Sequence, residues 1–173
     1  MHVYHYAPYE PAALKRLMGR YATRERELDA MLRGGRFVDL YAVVRQGMLA
    51  GVERYSIKNL EVMYGFEREV RLHDAGRCRA LVEQGLELRC IATVPADVRE
   101  TVEGYNRDDC VSTLRLREWL ESLRAELGMG SATVPRPEAQ DGTAPESVDE
   151  KAARVAELRG RVLARVPETR EGG

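Results

Sequence analysis

Tyr105 and Asp109 are the residues whose types and spacing point most directly to chemistry. They are four positions apart, so on a helix they would project from one face, one turn from each other. Val98 and Val102 continue that face and would direct the carboxylate toward the protein interior. A buried carboxylate must be paired or bind a metal, because a lone buried charge is costly. The alternative is structural, an acidic cluster stabilised by the dipole at a helix start beside a core tyrosine.

Other carboxylates lie in separated segments that could converge on the same place. Glu10 follows a strand-like segment, Asp39 lies within an apolar run, and Asp108 directly precedes Asp109. Carboxylates gathered in this way bind Mg²⁺ or Mn²⁺. A pair of such ions activates water and stabilises the leaving oxygen of a phosphodiester. Scattered acids occur in every soluble protein, so the pattern alone leaves this interpretation open.

Composition limits the classes of function that remain. The chain has 173 residues and a formal net charge of −1, so nucleic-acid binding would need local basic patches. Its 3 cysteines are odd in number and form no C-x-x-C pair, so the sequence indicates neither a disulfide framework nor a zinc site. We expect neither a membrane span nor a signal peptide, and a reducing cytoplasm is the predicted location.

The elements that must position these residues are mostly helices. A short strand is predicted over 2–6, and the run 37–44 is either a short strand feeding a helix or a helix throughout. The best-supported element covers 95–127, as one long helix or two abutting ones with Gly104 as a possible break. Further helices are predicted from Tyr9, from Thr23, from Ser56, over 74–87 and over 149–166.

Four blocks of sequence carry a family resemblance. Residues 105–110, followed by Ser112-Thr113 and Trp119-Leu120, resemble the last motif of ribonuclease H-like 3′–5′ exonucleases of the tyrosine-containing (DEDDy) type. The blocks 3–10, 37–41 and 55–61 look like RecB-like nucleases that carry such a domain. Together the blocks span roughly residues 2–127, and their order makes the resemblance specific.

The resemblance implies roles for residues in two of the blocks. Asp109 matches the final metal-binding carboxylate, and Tyr105 matches the residue that positions the attacking water. Glu10 matches an acid that follows a strand and would also bind the metal. His5 stands where related enzymes often have Asn, as a substrate contact. The implied cofactor is Mg²⁺ or Mn²⁺, and the implied partner is nucleic acid, either DNA or RNA.

The two middle blocks leave alternatives open. Asp39 matches a Val-Asp-Leu block, where it is either a metal-site carboxylate or a helix cap, and the cap is favoured. Arg54, Lys58 and Arg68 are candidate phosphate contacts, with Lys58 the substrate-binding prediction. A solvated basic face is the simpler alternative for each of these three.

One motif of the family does not occur in the chain. Such nucleases carry an earlier Asp-x-Glu motif whose carboxylates hold the metals. Residues 1–128 are therefore expected to be the C-terminal part of a ribonuclease H-like nuclease domain, α/β by type but predominantly helical and lacking N-terminal sheet strands. A disordered linker is expected over 129–150, and an isolated amphipathic helix with a tail over 151–173. The family sometimes continues into a helicase-type region.

These observations predict a truncated nuclease domain. The parent activity would be metal-dependent 3′–5′ hydrolysis of nucleic-acid phosphodiesters. The isolated chain is predicted to be inactive, because two ions need more carboxylates than Glu10 and Asp109. The alternatives are a non-catalytic nucleic-acid-binding or interaction module, and a fragment without independent function.

Overall fold

The architecture is that of a computed structural model, which describes residues 1–128, 135–138 and 140–164. The chain divides into two compact units. The first comprises Met1–Ala13 with Phe37–Pro137, and the second comprises Leu14–Arg36 with Glu138–Gly173. Of the predicted linker, 129–134 and 139 lie outside the described residues, as do positions 165–173 of the predicted tail.

Short strands and helices follow one another along the chain. In order they are β1 (Val3–His5), α1 (Tyr9–Tyr21), α2 (Glu25–Arg33), β2 (Phe37–Asp39), α3 (Leu40–Gly47), α4 (Ile57–Leu60), α5 (Leu72–Glu87), α6 (Ala96–Gly128) and α7 (Glu146–Leu163). Single 3₁₀ turns lie at Glu61–Met63 and Ile91–Thr93. The predicted fold class is confirmed, since the described chain is mostly helical with a short parallel sheet of two strands.

The two strands pair in parallel, with Val3 opposite Phe37 and His5 opposite Asp39. Parallel strands require a crossover connection of a dozen or more residues, and residues 6–36 provide it. The sequence left open whether 37–44 is a strand followed by a helix. The structure has that arrangement, with β2 leading directly into α3.

The core of the first unit forms where α3, α4 and α6 meet. Leu40, Val44, Leu60 and Leu116 are its buried aliphatic residues. Aromatic side chains surround them, including Tyr4, Tyr6, Tyr55, Tyr64 and Trp119. Because Leu116 belongs to α6 and Leu60 ends α4, this packing fixes α6 against the segment that carries Lys58 and Glu61.

The long helix α6 is continuous through Gly104, which therefore is not a break. A Cβ atom at Gly104 would lie 2.8 Å from Cγ2 of Val70. That separation is shorter than real Cβ contacts, so a larger residue would require the Val70 side chain to shift. Glycine here permits the close approach of the two segments.

The second unit contains α2, α7 and the later part of α1. Residues of α2 and α7 line a groove of about 1190 Å³ within this unit. Val155 and Leu158 of α7 are more than half exposed. Among the described residues, no helix has the length and apolar character that a membrane span requires.

Candidate nucleic-acid site

Two capping residues set the segments around the site. Ser56 caps α4 by accepting a hydrogen bond from the backbone N–H of Asn59. Asp39 caps α3, with Oδ1 accepting from the N–H of Tyr41 at 2.9 Å. The same oxygen accepts from the N–H of Ala7, also at 2.9 Å, which joins the ends of β1 and β2. Asp39 is thus a structural cap, and its role as a metal ligand stays a prediction.

The buried stripe of α6 differs from the one that the sequence suggested. Gly104, Asp108, Ser112 and Leu116, spaced by four residues, are all buried. The side chain of Asp109 is 40% exposed. The expectation that Asp109 faces the interior was therefore wrong, because the interior face of α6 contains its neighbour Asp108.

Asp108 holds the segment before α5 against α6. Its Oδ2 atom accepts a hydrogen bond of 3.0 Å from the N–H of Val70. Asp108 is only 4% exposed, so this buried carboxylate is satisfied by a backbone donor of the partly buried Val70. Its role is therefore structural.

A buried polar network lies beside this contact. Arg68 donates to both carboxylate oxygens of Glu61, from Nε at 2.9 and 3.1 Å and from Nη2 at 2.6 Å. Ser112 donates its hydroxyl proton to Oε1 of Glu61 at 2.8 Å. Its oxygen also lies 2.8 Å from the hydroxyl of Tyr64, which therefore donates to Ser112. Glu61, Arg68, Ser112 and Tyr64 are called the buried network below.

Asp109 meets this network through Arg68. Nη1 of Arg68 lies 2.8 Å from Oδ1 of Asp109, an ion pair in which the N–H is not aligned for a hydrogen bond. Burial opposes the charge of Arg68, but the carboxylates of Glu61 and Asp109 outweigh it and raise the pKa of Arg68 above its usual value. The Arg68 guanidinium thus forms ion pairs with two carboxylates, those of Glu61 and Asp109.

Tyr105 lies between two cations. Nζ of Lys58 donates to the Tyr105 hydroxyl at 2.8 Å and lies 5.1 Å from the ring centroid. The guanidinium carbon of Arg68 is 5.5 Å from the same centroid. The Arg68 distance allows cation–π attraction to the ring, whereas Lys58, hydrogen-bonded to the hydroxyl, lies at the ring's edge. The structure therefore brings together Tyr105, Lys58 and Asp109 of the predicted site, with Arg68 between the tyrosine and the aspartate.

His5 and Glu10 form a separate pair near the end of β1. Nδ1 of His5 donates to the carbonyl of Ala7 at 2.7 Å and lies 3.9 Å from Oε2 of Glu10. His5 is 5% exposed, whereas the side chain of Glu10 is 55% exposed. The predicted roles of both residues in substrate and metal binding stay predictions.

The carboxylates as they stand do not fit the Mg²⁺ or Mn²⁺ site that the resemblance implies. Within residues 1–128, 135–138 and 140–164, no three His, Cys, Asp or Glu side chains group in a way that could hold a metal ion. Asp109 is engaged by Arg68, and Asp39 by two backbone N–H groups. Magnesium needs several oxygen ligands converging on one point, which these contacts do not provide.

Sequence reasoning missed the buried network. Glu61 and Ser112 were part of the blocks that carry the resemblance, but neither was assigned a role. Arg68 was a candidate phosphate contact with a solvated face as the simpler alternative, whereas its side chain is only 8% exposed. The available signal was the spacing of Asp108, Ser112 and Leu116, which places two polar residues on the apolar stripe of α6.

Comparison with known proteins identifies the family. A family model, RNase_H_2 of the RNase_H superfamily, matches residues 1–121. Neither the curated proteins nor the solved structures contain a match to the chain. The matched residues include both strands, the buried network, and the Tyr105–Asp109 pair. This chain therefore belongs to the RNase H superfamily.

Proposed function

We propose that this chain is the nucleic-acid-binding part of a truncated nuclease domain of the RecB-like and DEDDy kind. The observation that carries this proposal is the geometry around Tyr105. Its hydroxyl contacts the exposed Lys58, and one turn later the partly exposed Asp109 contacts the buried Arg68, so a phenol, a carboxylate and one cation share one part of the surface with a second cation beneath them. The family match over residues 1–121 supports it, because RNase H-like domains act on nucleic acids.

The hydrogen bond from Lys58 determines what Tyr105 can do. Since Nζ donates to the phenolic oxygen, the phenolic proton is available to another acceptor. No described residue accepts that proton. A non-bridging oxygen of a phosphodiester, or a water next to its phosphorus, would be a suitable acceptor. Lys58 retains two further N–H donors for the same phosphate.

Hydrolysis requires groups beyond the described residues. In a two-metal site, divalent ions activate the attacking water and stabilise the leaving oxygen. The acids of the described chain do not assemble such a site. We therefore propose that this chain binds a strand without cleaving it. The missing carboxylates would come from another polypeptide segment, in a cytoplasmic parent protein that also includes a helicase-type region and cleaves in the 3′–5′ direction.

A binding and cleavage assay tests the proposal. Fluorescence anisotropy of the purified chain with labelled single-stranded DNA and RNA measures affinity at several salt concentrations. Gel analysis of the same mixtures with Mg²⁺, Mn²⁺ or EDTA measures cleavage. We expect binding that weakens as salt rises, because phosphate contacts release counterions. We expect no products with either ion.

Two other outcomes would change the conclusion. Metal-dependent cleavage that Asp109→Asn abolishes would show that the chain is itself a nuclease and that the predicted inactivity is wrong. A folded chain that binds neither DNA nor RNA would refute the nucleic-acid proposal. The alternative would then be a non-catalytic interaction module, consistent with an Asp109 carboxylate already paired with Arg68.

A further inference from the structure

A small hollow lies beside Tyr105, on the side of α4 and α5. Its volume is about 150 Å³, several times the space that one water needs. Lys58, Ala75, Gly76, Arg79 and Tyr105 line it. Two of these side chains are cations and a third carries a hydroxyl, whereas no acidic side chain of the described residues lines the hollow. This set of donors suits a tetrahedral oxyanion.

The two cations are available to a ligand. The Lys58 ammonium has three N–H donors and uses one of them for the Tyr105 hydroxyl. Nε of Arg79 lies 3.5 Å from Oε1 of Glu83, and both side chains are more than 60% exposed. Exposed pairs of this kind contribute little stability, so Arg79 can exchange Glu83 for a phosphate at small cost.

One of the residues that line the hollow, Gly76, has no side chain. Gly76 is a helical residue of α5, and a Cβ atom built there would meet nothing within 4 Å. The fold therefore has room for a larger residue at Gly76, which itself lines the hollow.

We propose that Lys58, Arg79 and the Tyr105 hydroxyl form a subsite for a backbone phosphate of single-stranded nucleic acid. This proposal rests on the proposed function and adds Arg79, a residue outside the blocks that carry the resemblance. The same donors would also bind a free phosphate ion, because its oxygens are chemically like those of a backbone phosphate. Arg68 does not take part, since it is buried and already bound to Glu61 and Asp109.

Charge removal on α5 provides the first test, with a matched control on the same helix. Arg79→Ala removes a cation that lines the hollow, and Arg77→Ala removes an exposed cation two residues away that does not line it. Anisotropy with a labelled oligonucleotide should show binding about fivefold weaker for Arg79→Ala, as expected for one exposed ion pair. The slope of log affinity against log salt should fall in magnitude by about 0.7 for one lost phosphate contact. Arg77→Ala should change affinity by less than about twofold.

Filling the hollow provides a second test that leaves charge unchanged. Gly76→Leu adds an alkyl chain at a residue that lines the hollow, where a Cβ atom meets open space, and leucine is the better helix former, so α5 should be retained. Circular dichroism checks the fold of each variant. We expect Gly76→Leu to weaken oligonucleotide binding as much as Arg79→Ala. Wild-type affinity in both variants would refute the subsite, while binding by the wild-type chain would still support the proposed function.

Inorganic phosphate separates the two sources of the ligand. Titration of phosphate into the wild-type complex should displace the oligonucleotide. For Arg79→Ala, the phosphate concentration needed for displacement should be higher once the weaker oligonucleotide binding of that variant has been taken into account. Calorimetry of the free chain with inorganic phosphate gives the direct comparison. Phosphate binding that depends on Arg79, without any oligonucleotide binding, would refute both the nucleic-acid source and the proposed function.

Discussion

Two clusters of polar side chains, the buried network and the basic subsite, lie beside the Tyr105–Asp109 turn of α6, and they differ in burial. Arg68 of the buried network is 8% exposed and contacts two carboxylates. Arg79 of the phosphate subsite is 67% exposed and has one long, weak ion pair. The chemistry of the two side chains is the same, so the surroundings decide what each one does. Arg68 holds segments of the protein together, and Arg79 is free to exchange its partner for a ligand.

The comparison also separates the two members of the predicted catalytic pair. Asp109 joins the buried network through Arg68, while Tyr105 faces the subsite through Lys58. Residues one turn apart on a helix can therefore belong to two different environments. Substitutions in the network should change stability, and substitutions in the subsite should change affinity.

The largest expected effect is the loss of Arg68. Arg68→Met leaves Glu61 buried without a cation, and removing one partner of a buried pair costs about 3–5 kcal/mol. Urea denaturation should show this as a fall in the free energy of unfolding. The control is Arg107→Ala, which removes an ion pair with Glu69 whose side chains are both more than 60% exposed. We expect that control to change stability by less than about 0.5 kcal/mol.

A second variant isolates the charge from the packing. Combining Arg68→Met with Glu61→Met removes both partners, and apolar replacement of a buried pair is often nearly neutral. The double variant should therefore be more stable than Arg68→Met alone. A double variant as unstable as the sum of the two single ones would mean that the ion pair contributes nothing beyond packing.

The sequence predicted the local elements of this fold better than its polar interior. The caps at Asp39 and Ser56 and the long helix ending at Gly128 follow from short-range rules that a single chain shows directly. Periodicity arguments treat polar residues as exposed, so they assigned no interior role to Asp108 or Ser112. Both can be buried because each has a hydrogen-bond partner, Val70 for Asp108 and Glu61 for Ser112. These partners lie 38 and 51 positions away in the chain, so local patterns do not reveal them.

The sequence likewise allowed part of the candidate site to be predicted, namely its residues on α6, but not the contacts between segments. Tyr105 and Asp109 were identified by one-turn spacing together with the resemblance. That Lys58 contacts Tyr105 depends on the packing of α4 against α6 through Leu60 and Leu116, which spacing along the chain does not reveal. Long-range contacts of this kind decide whether a basic residue binds a ligand or a carboxylate.

The next largest expected effect is a difference in stability between variants of the neighbouring residues Asp108 and Asp109. Asp108→Ala leaves the partly buried N–H of Val70 without its acceptor and removes a buried side chain, which costs about 1–3 kcal/mol. Asp109→Ala should cost less than about 1 kcal/mol, because Asp109 is 40% exposed and Arg68 keeps Glu61. Urea denaturation of both variants measures the order, and a larger loss for Asp109→Ala would contradict the assignment of Asp108 as the structural member.

The last expected effect concerns pH and the tyrosine of the buried network. Burial raises the pKa of Tyr64 from 10.0 to about 12, and the Glu61 carboxylate adds to the rise. Between pH 10 and 12 the unfolded chain has released this proton and the folded chain has not, so the unfolded state binds fewer protons. Stability from this group is therefore constant below pH 10 and declines as pH rises toward 12.

Absorbance of tyrosinate during alkaline titration measures this ionisation directly. Tyr64→Phe should reduce the amplitude of the late transition while the folded chain persists. Tyr6 shares that transition, because burial raises its pKa as well, so the variant should lose part of the late amplitude and retain the rest. An unchanged late amplitude would mean that Tyr64 is accessible to water. The network around Glu61 would then resemble the exposed subsite in its solvent access, and the contrast between the two clusters would fail.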